Sequence, residues 1–279
     1  MHFSALGIPN FYYCGLNQFI VQRTLAAKSL RQGQLGIIFA AGLWLLVPFA
    51  IVIPGIMAVQ LYGTDLATPD KAYPMLIRNL VPIGLRGIIF AALAGAVISS
   101  LASMLNSAST IFTMDLYKRY WKKDASQKSL ISIGRVMTMI FVIIGCFITP
   151  QLADPKFKGI FHYIQEFQGY ISPGILAAFV FGFIVKKTPA SAGVTALVLT
   201  VPIYGFLLWQ FSDIAFLNRM AITFAGVILA MTILTVLKPL QKPKEMPVQE
   251  NFDMRPAPSV VWLGNAVIAA VIGFYIIFW

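Results

Sequence analysis

Five hydroxyl side chains, Ser99, Ser100, Ser103, Ser107 and Thr110, recur within the apolar run AALAGAVISSLASMLNSASTIFTMD, most of them three or four residues apart. On a helix, Ser100, Ser103, Ser107 and Thr110 share one face, and Ala96 stands one turn above Ser100. Two chemistries follow. Small hydroxyl residues let helices approach closely and exchange hydrogen bonds. Alternatively, adjacent hydroxyls and a carbonyl four residues back offer a neutral oxygen set for a small hard cation. Sodium fits such a set without a carboxylate. The two histidines, His2 and His162, are too few and too far apart for a transition-metal cluster.

Two other segments carry polar groups where apolar ones would be expected. The first, IPNFYYCGLNQFIVQRTLAAKS, places Pro9, Asn10, Tyr12, Tyr13, Gly15, Asn17 and Gln18 close together. So much Pro, Gly and amide predicts irregular backbone lining a cavity, in the manner of half a broken helix. An interfacial belt of aromatics and amides is the other reading. In the second, GIFHYIQEFQGYISPGILAAF, Gln165 and Glu166 precede a Ser172-Pro173-Gly174 break. Gln165 is expected to face a cavity and Glu166 the outer water, as an interfacial carboxylate or a proton carrier.

The elements that must hold these groups are membrane helices. Of the 279 residues 58% are hydrophobic and 11% charged, and mean hydropathy is +0.79. Soluble domains carry about 25% charged residues, so a water-facing globule, a cytosolic enzyme and a periplasmic binding protein are poor readings. A helix needs about 20 apolar residues to cross a bilayer. Eight segments qualify, at approximately 3–21, 35–62, 86–116, 131–152, 160–185, 191–209, 221–237 and 259–279. The second and third are longer than a straight crossing needs, and Pro48, Pro54 and Gly55 in the second predict tilt, a kink or an extension out of the membrane.

Alternate loops between those segments differ in charge. One set holds fifteen of the twenty-one Lys and Arg residues, including Arg23, Lys28, Arg31 and the group from Lys118 to Arg135; the other holds Lys71, Arg78, Arg86, Lys156, Lys158 and Arg219. Cationic loops stay cytoplasmic, so the first segment runs inward and both chain ends lie outside. The net charge of +11 is therefore a topology signal rather than a nucleic-acid footprint. Cys14 and Cys146 lie in apolar runs and read as packing residues. The Pro- and charge-rich stretch 238–258 reads as a solvated cytoplasmic loop before the last helix.

Five stretches together resemble the sodium/solute symporter family, in its sodium/sugar (glucose/galactose) cotransporter branch. They are NFYYCGLNQFIVQRTLAAKS (10–29), PFAIVIPGIMA (48–58), DKAYPMLI (70–77), FAALAGAVISSLASMLNSASTIFTMDLYK (90–118) and YIQEFQGYISPGILA (163–177). The resemblance implies an all-α membrane protein with the LeuT-type inverted-repeat fold and a midplane site. It implies that the chain corresponds to the C-terminal half. Residues 1–187 would form core helices six to ten, the first of them partial, and 188–279 three accessory helices. The first repeat would lie outside this sequence, and the location would be a bacterial inner membrane.

Site residues are implied by the same likeness. Ala96 O, Ser99 Oγ and Ser100 Oγ resemble the eighth-helix sodium ligands, with the remaining ligands on the absent first helix. Ala102 replaces a hydroxyl of a second sodium site, which favours one sodium per solute. Asn10 and Gln165 resemble residues that hydrogen-bond sugar hydroxyls, Tyr13 the stacking inner gate, and Phe161 an outer hydrophobic gate. Trp44 stands where sugar-transporting relatives commonly have Lys, and Cys14 where they commonly have Trp. The function implied is sodium-coupled symport of a small polar solute, most naturally a sugar, by alternating access. A transporter of another organic solute, a non-transporting sensory or structural module and a channel are the rival readings. No nucleophile, base and orienting group recur together, so an enzyme is not expected.

Overall fold

The computed structural model describes residues 3–66, 68–150, 160–244 and 256–278. Those residues are all-helical and divide into two compact units, one of residues 1–21 with 161–253 and one of residues 22–160 with 254–279. Residues 151–159 and 245–255, which include Lys156, Lys158 and much of the expected loop 238–258, lie outside the described residues.

The first unit is built on three helices, α9 (Ser172–Ile184), α10 (Ala190–Gln210) and α11 (Phe216–Leu237). Ala177, Phe181, Ala192, Ala196, Val227 and Met231 interlock as its core. Small residues set the spacing. A side chain at Gly174 would bring its Cβ within 2.8 Å of the Ala196 carbonyl oxygen, so glycine is what lets α9 lie flush on α10. The buried hydroxyls of Thr200, Thr223 and Thr235 each donate to the carbonyl four residues back, at 2.6, 2.8 and 2.8 Å, and so need no outside partner. Beyond α11 the chain turns back. Leu240 N donates to Lys187 O at 3.0 Å and Lys244 N to Lys186 O at 2.9 Å, so the first part of the expected solvated loop is tied down.

Two shorter helices complete this unit. α1 (Phe3–Phe11) packs on α9 and α11 and runs into a π-helical turn at Tyr12–Leu16. Asn17 is then extended (φ −77°, ψ 121°) before α2 (Gln18–Leu25) begins. The Gly- and amide-rich opening is thus interrupted, and no continuous span of membrane length forms there. α8 (Ile160–Gly169) joins α9 at a 42° bend. The expected break at Ser172-Pro173-Gly174 falls slightly earlier, at Tyr170 and Ile171. Pro173 sits in the first turn of α9, where its missing N–H removes no helical bond.

In the second unit, α3 (Leu30–Trp44) starts at Ser29, whose hydroxyl accepts from Gln32 N at 3.3 Å. A π-helical turn at Pro48–Val52 carries it into α4 (Ile53–Tyr62), where the kink was expected. Gly63, with φ +47°, ends that run in a conformation other residues avoid. After α5 (Ala72–Leu80) comes α6 (Ile83–Ile111), which continues as a π-helical run to Trp121 and makes a 39-residue rod. α7 (Gln127–Ile148) is capped by Ser126 and packs on α6, and α12 (Pro258–Phe278) packs on α3, with Phe274 also meeting Phe49 of the π-helical turn at a centroid distance of 5.7 Å.

Six helical stretches among the described residues are long and apolar enough to span a membrane, or seven if α8–α9 counts as one. The chain is therefore an integral, multi-pass membrane protein. The sequence predicts eight; the difference is the first segment, which the π turn and Asn17 divide.

Candidate functional site

The residues expected to contact solute fall into two groups, one in each unit. In the first unit, Asn10 lies at the end of α1 as an exposed amide and Tyr13 is half-buried in the π turn, its ring edge-on to Phe19 at 5.7 Å. Phe161 and Gln165 are one turn apart on α8. Phe161 is 69% exposed, whereas the Gln165 side-chain oxygen is buried without a hydrogen-bond partner. A buried amide oxygen left unpaired is unfavourable by itself.

In the second unit, Ala96, Ser99 and Ser100 share one side of α6 within a single turn, and all three are exposed. The Ser99 carbonyl accepts from Ser103 Oγ at 2.9 Å, and Ser103 Oγ in turn accepts from the guanidinium of Arg23. An exposed guanidinium therefore contacts α6 at Ser103, about one turn from the paired serines. The donor set of one carbonyl and two hydroxyls suits a hard cation; three oxygens fill only part of its shell. Trp44, at the end of α3, is 60% exposed.

Further down α6 the hydroxyl stripe is divided. Ser107 is buried while Thr110, assigned to the same face, is exposed, and Ser109 and Thr113 are buried beside it. The cause is local. α7 packs beside the lower part of α6, and Ser109 and Thr113, four residues apart, lie on the side turned toward it, with Thr113 beside Gly134. Asn106, Thr113, Gln127 and Arg135 help to line a cavity of about 380 Å³ there.

The largest departure concerns Glu166 and Arg219. Neither faces water as a loop or interfacial charge would. Arg219 lies in the first turn of α11 and is 2% exposed. Its guanidinium pairs with Glu166 Oε1 and donates to the carbonyls of Ser212 and Ile214, at 3.0 and 2.6 Å. Tyr204, wholly buried on α10, donates to Glu166 Oε2 at 2.6 Å, and the Arg219 guanidinium carbon stands 5.8 Å from the Tyr204 ring centroid. His162 Nε2 lies 3.4 Å from Glu166 Oε1. Sequence reading misses this cluster because Arg219 is 53 residues from Glu166 and reads as a loop cation; its place only three residues inside an apolar helix is the available signal.

Comparison with known proteins agrees with the helices just described. The pattern for the "Sodium:solute symporter family" matches residues 4–200. The chain belongs to that family. Among its relatives, the sodium/glucose cotransporter of Vibrio parahaemolyticus is 40% identical, the match covering 99% of this chain and 53% of the relative. The uncharacterised symporter YidK of Escherichia coli (strain K12) is 33% identical over 98% of this chain and 48% of its own length. Human sodium/myo-inositol cotransporter 2 is 36% identical over 66% of this chain and 30% of its length. The chain thus spans about half the length of the first two relatives. Matched residues of the symporter family take in the π turn, the paired serines and the α8–α9 bend alike.

Proposed function

We propose that the intact protein couples sodium entry to uptake of a small polar solute, most naturally a sugar, in a bacterial inner membrane. The observation that carries this reading is the exposed oxygen set of Ala96, Ser99 and Ser100 on a membrane-length helix of a family member. Hydroxyls exposed at membrane depth need a partner. In this reading they bind sodium, together with ligands from a first repeat supplied by the other half of the transporter. The fold would be the LeuT-type inverted repeat with eight segments, the broken opening counted as one, residues 1–187 forming the core and 188–279 the accessory helices.

Asn10 and Gln165 would then hydrogen-bond the solute and Tyr13 and Phe161 would act as its gates, while Trp44 would be a solute-binding residue in place of the Lys common in sugar-transporting relatives. Names of relatives favour a sugar or cyclitol as cargo, and aromatic rings with amide groups suit its apolar faces and hydroxyls. Trp44, in place of a cationic donor, supports a second reading in which the solute is a different organic molecule.

Sodium would favour the outward-open conformation and so raise solute affinity, a coupling through one shared equilibrium. The membrane potential supplies about 2.3 kcal/mol per 100 mV for each sodium, equivalent to roughly fifty-fold accumulation. The test is uptake of labelled sugars into proteoliposomes holding the intact protein. Saturable uptake that is lost when choline replaces sodium is expected; uptake indifferent to that exchange overturns the proposal.

A further inference from the structure

α8 presents two faces. Phe161 and Gln165 mark the one assigned above to solute. His162, Glu166 and Gly169, spaced by four and three, mark another about 100° around the helix, and every one of them meets the α10–α11 hairpin. The His162 ring is edge-on to Phe216 with centroids 5.7 Å apart, Glu166 is bound by Arg219 and Tyr204, and Gly169 lies directly on the Tyr204 ring. A Cβ at Gly169 would overlap that ring, so the hairpin fixes how near α8 can come as well as how it is turned. Below Gly169 the helix bends by 42° into α9, so α8 is held at its lower end through a break, and the contacts with the hairpin are what set its rotation.

We infer that Tyr204 and Arg219 are positioning residues for solute binding, gripping Glu166 so that α8 is rotationally locked with Gln165 directed at the solute. The inference rests on the functional reading above for what Gln165 and Phe161 do, though the lock itself does not. Gripping at two polar contacts, one to each carboxylate oxygen, explains why a carboxylate and a guanidinium are placed together in an apolar bundle, where a pair of leucines would pack as well. Tyr204 is the contact best suited to a test: Tyr204→Phe keeps the ring against Gly169 and removes only the hydroxyl that holds Glu166 Oε2.

Two measurements test the lock. In the intact protein, Tyr204→Phe should raise the solute KM about five-fold or more, with kcat and the amount of folded protein within two-fold of wild type; a role in packing alone would lower folded protein and leave KM unchanged. Secondly, with Cys14 and Cys146 replaced by serine and a cysteine placed at Gln165, labelling by a membrane-impermeant thiol reagent should change at least three-fold when Tyr204→Phe or, separately, Glu166→Gln is added. Unchanged KM together with unchanged labelling overturns the inference. Wild-type protein that shows no sodium-driven uptake would overturn the functional reading instead, and the labelling rates would still decide the lock. Should Glu166→Gln not fold, Tyr204→Phe alone carries both measurements.

Discussion

The α9–α11 bundle and the α6–α7 pair are made of the same kinds of residue, yet they meet their polar groups in different ways. In the membrane-length windows of α10 and α11, 28% of residues are buried, and most of the polar groups inside the bundle are paired, Arg219 with Glu166 and Thr200, Thr223 and Thr235 with their own backbone, while Ser172 Oγ and Arg219 Nε have no partner. The corresponding windows of α6 and α7 bury none, and α6 leaves Ala96, Ser99 and Ser100 open. A bundle that satisfies its polar groups internally is a scaffold. One that leaves oxygen atoms exposed at membrane depth is waiting for a ligand or another protein surface.

The sharpest way to break this contrast is to remove a charge from the bundle. Arg219→Met strands Glu166 as a buried, uncompensated carboxylate and should cost about 3–5 kcal/mol, read as a large fall in the apparent Tm of the purified protein in detergent. Gly174→Val should follow: its Cβ would press on the Ala196 carbonyl and on Thr200, and overpacking of this kind costs about 1–3 kcal/mol, measured the same way. Ser100→Ala, in the open region, should behave in the opposite sense, leaving thermal stability nearly unchanged while raising the sodium concentration for half-maximal uptake about ten-fold. The smallest effect belongs to Thr232→Ala, an exposed bundle hydroxyl bonded only to Ile228 O at 2.8 Å; within about 0.5 kcal/mol of wild type is expected. If Ser100→Ala unfolds the protein as Arg219→Met does, the two regions do not differ in the way described.

Much of the architecture was legible because membrane helices announce themselves by length and apolarity, and the runs around α3–α4, α6, α7, α10, α11 and α12 needed nothing more. The opening segment was legible as irregular, from its glycine and amides, but the extended Asn17 that divides it depends on a backbone choice no composition fixes. For the candidate site, resemblance to the symporter family singled out Ala96, Ser99 and Ser100, while helical spacing alone grouped Ser100 with Ser103, Ser107 and Thr110. Glu166 could not be understood that way, because its partners come from α10 and α11 and only tertiary packing brings Tyr204 and Arg219 to it. Which side of the lower part of α6 is covered could not be read from spacing either, because it is the packing of α7 that covers Ser109 and Thr113 and leaves Thr110 exposed.

The two main-chain bonds that run from Leu240 and Lys244 to the carbonyls of Lys187 and Lys186 act as rivets at one end of the bundle. They keep α11 from sliding lengthwise past the α9–α10 turn, since any slip of a single helical turn would shear both at once. The lower end of α11 is thus joined to its neighbours by main chain as well as by side-chain packing.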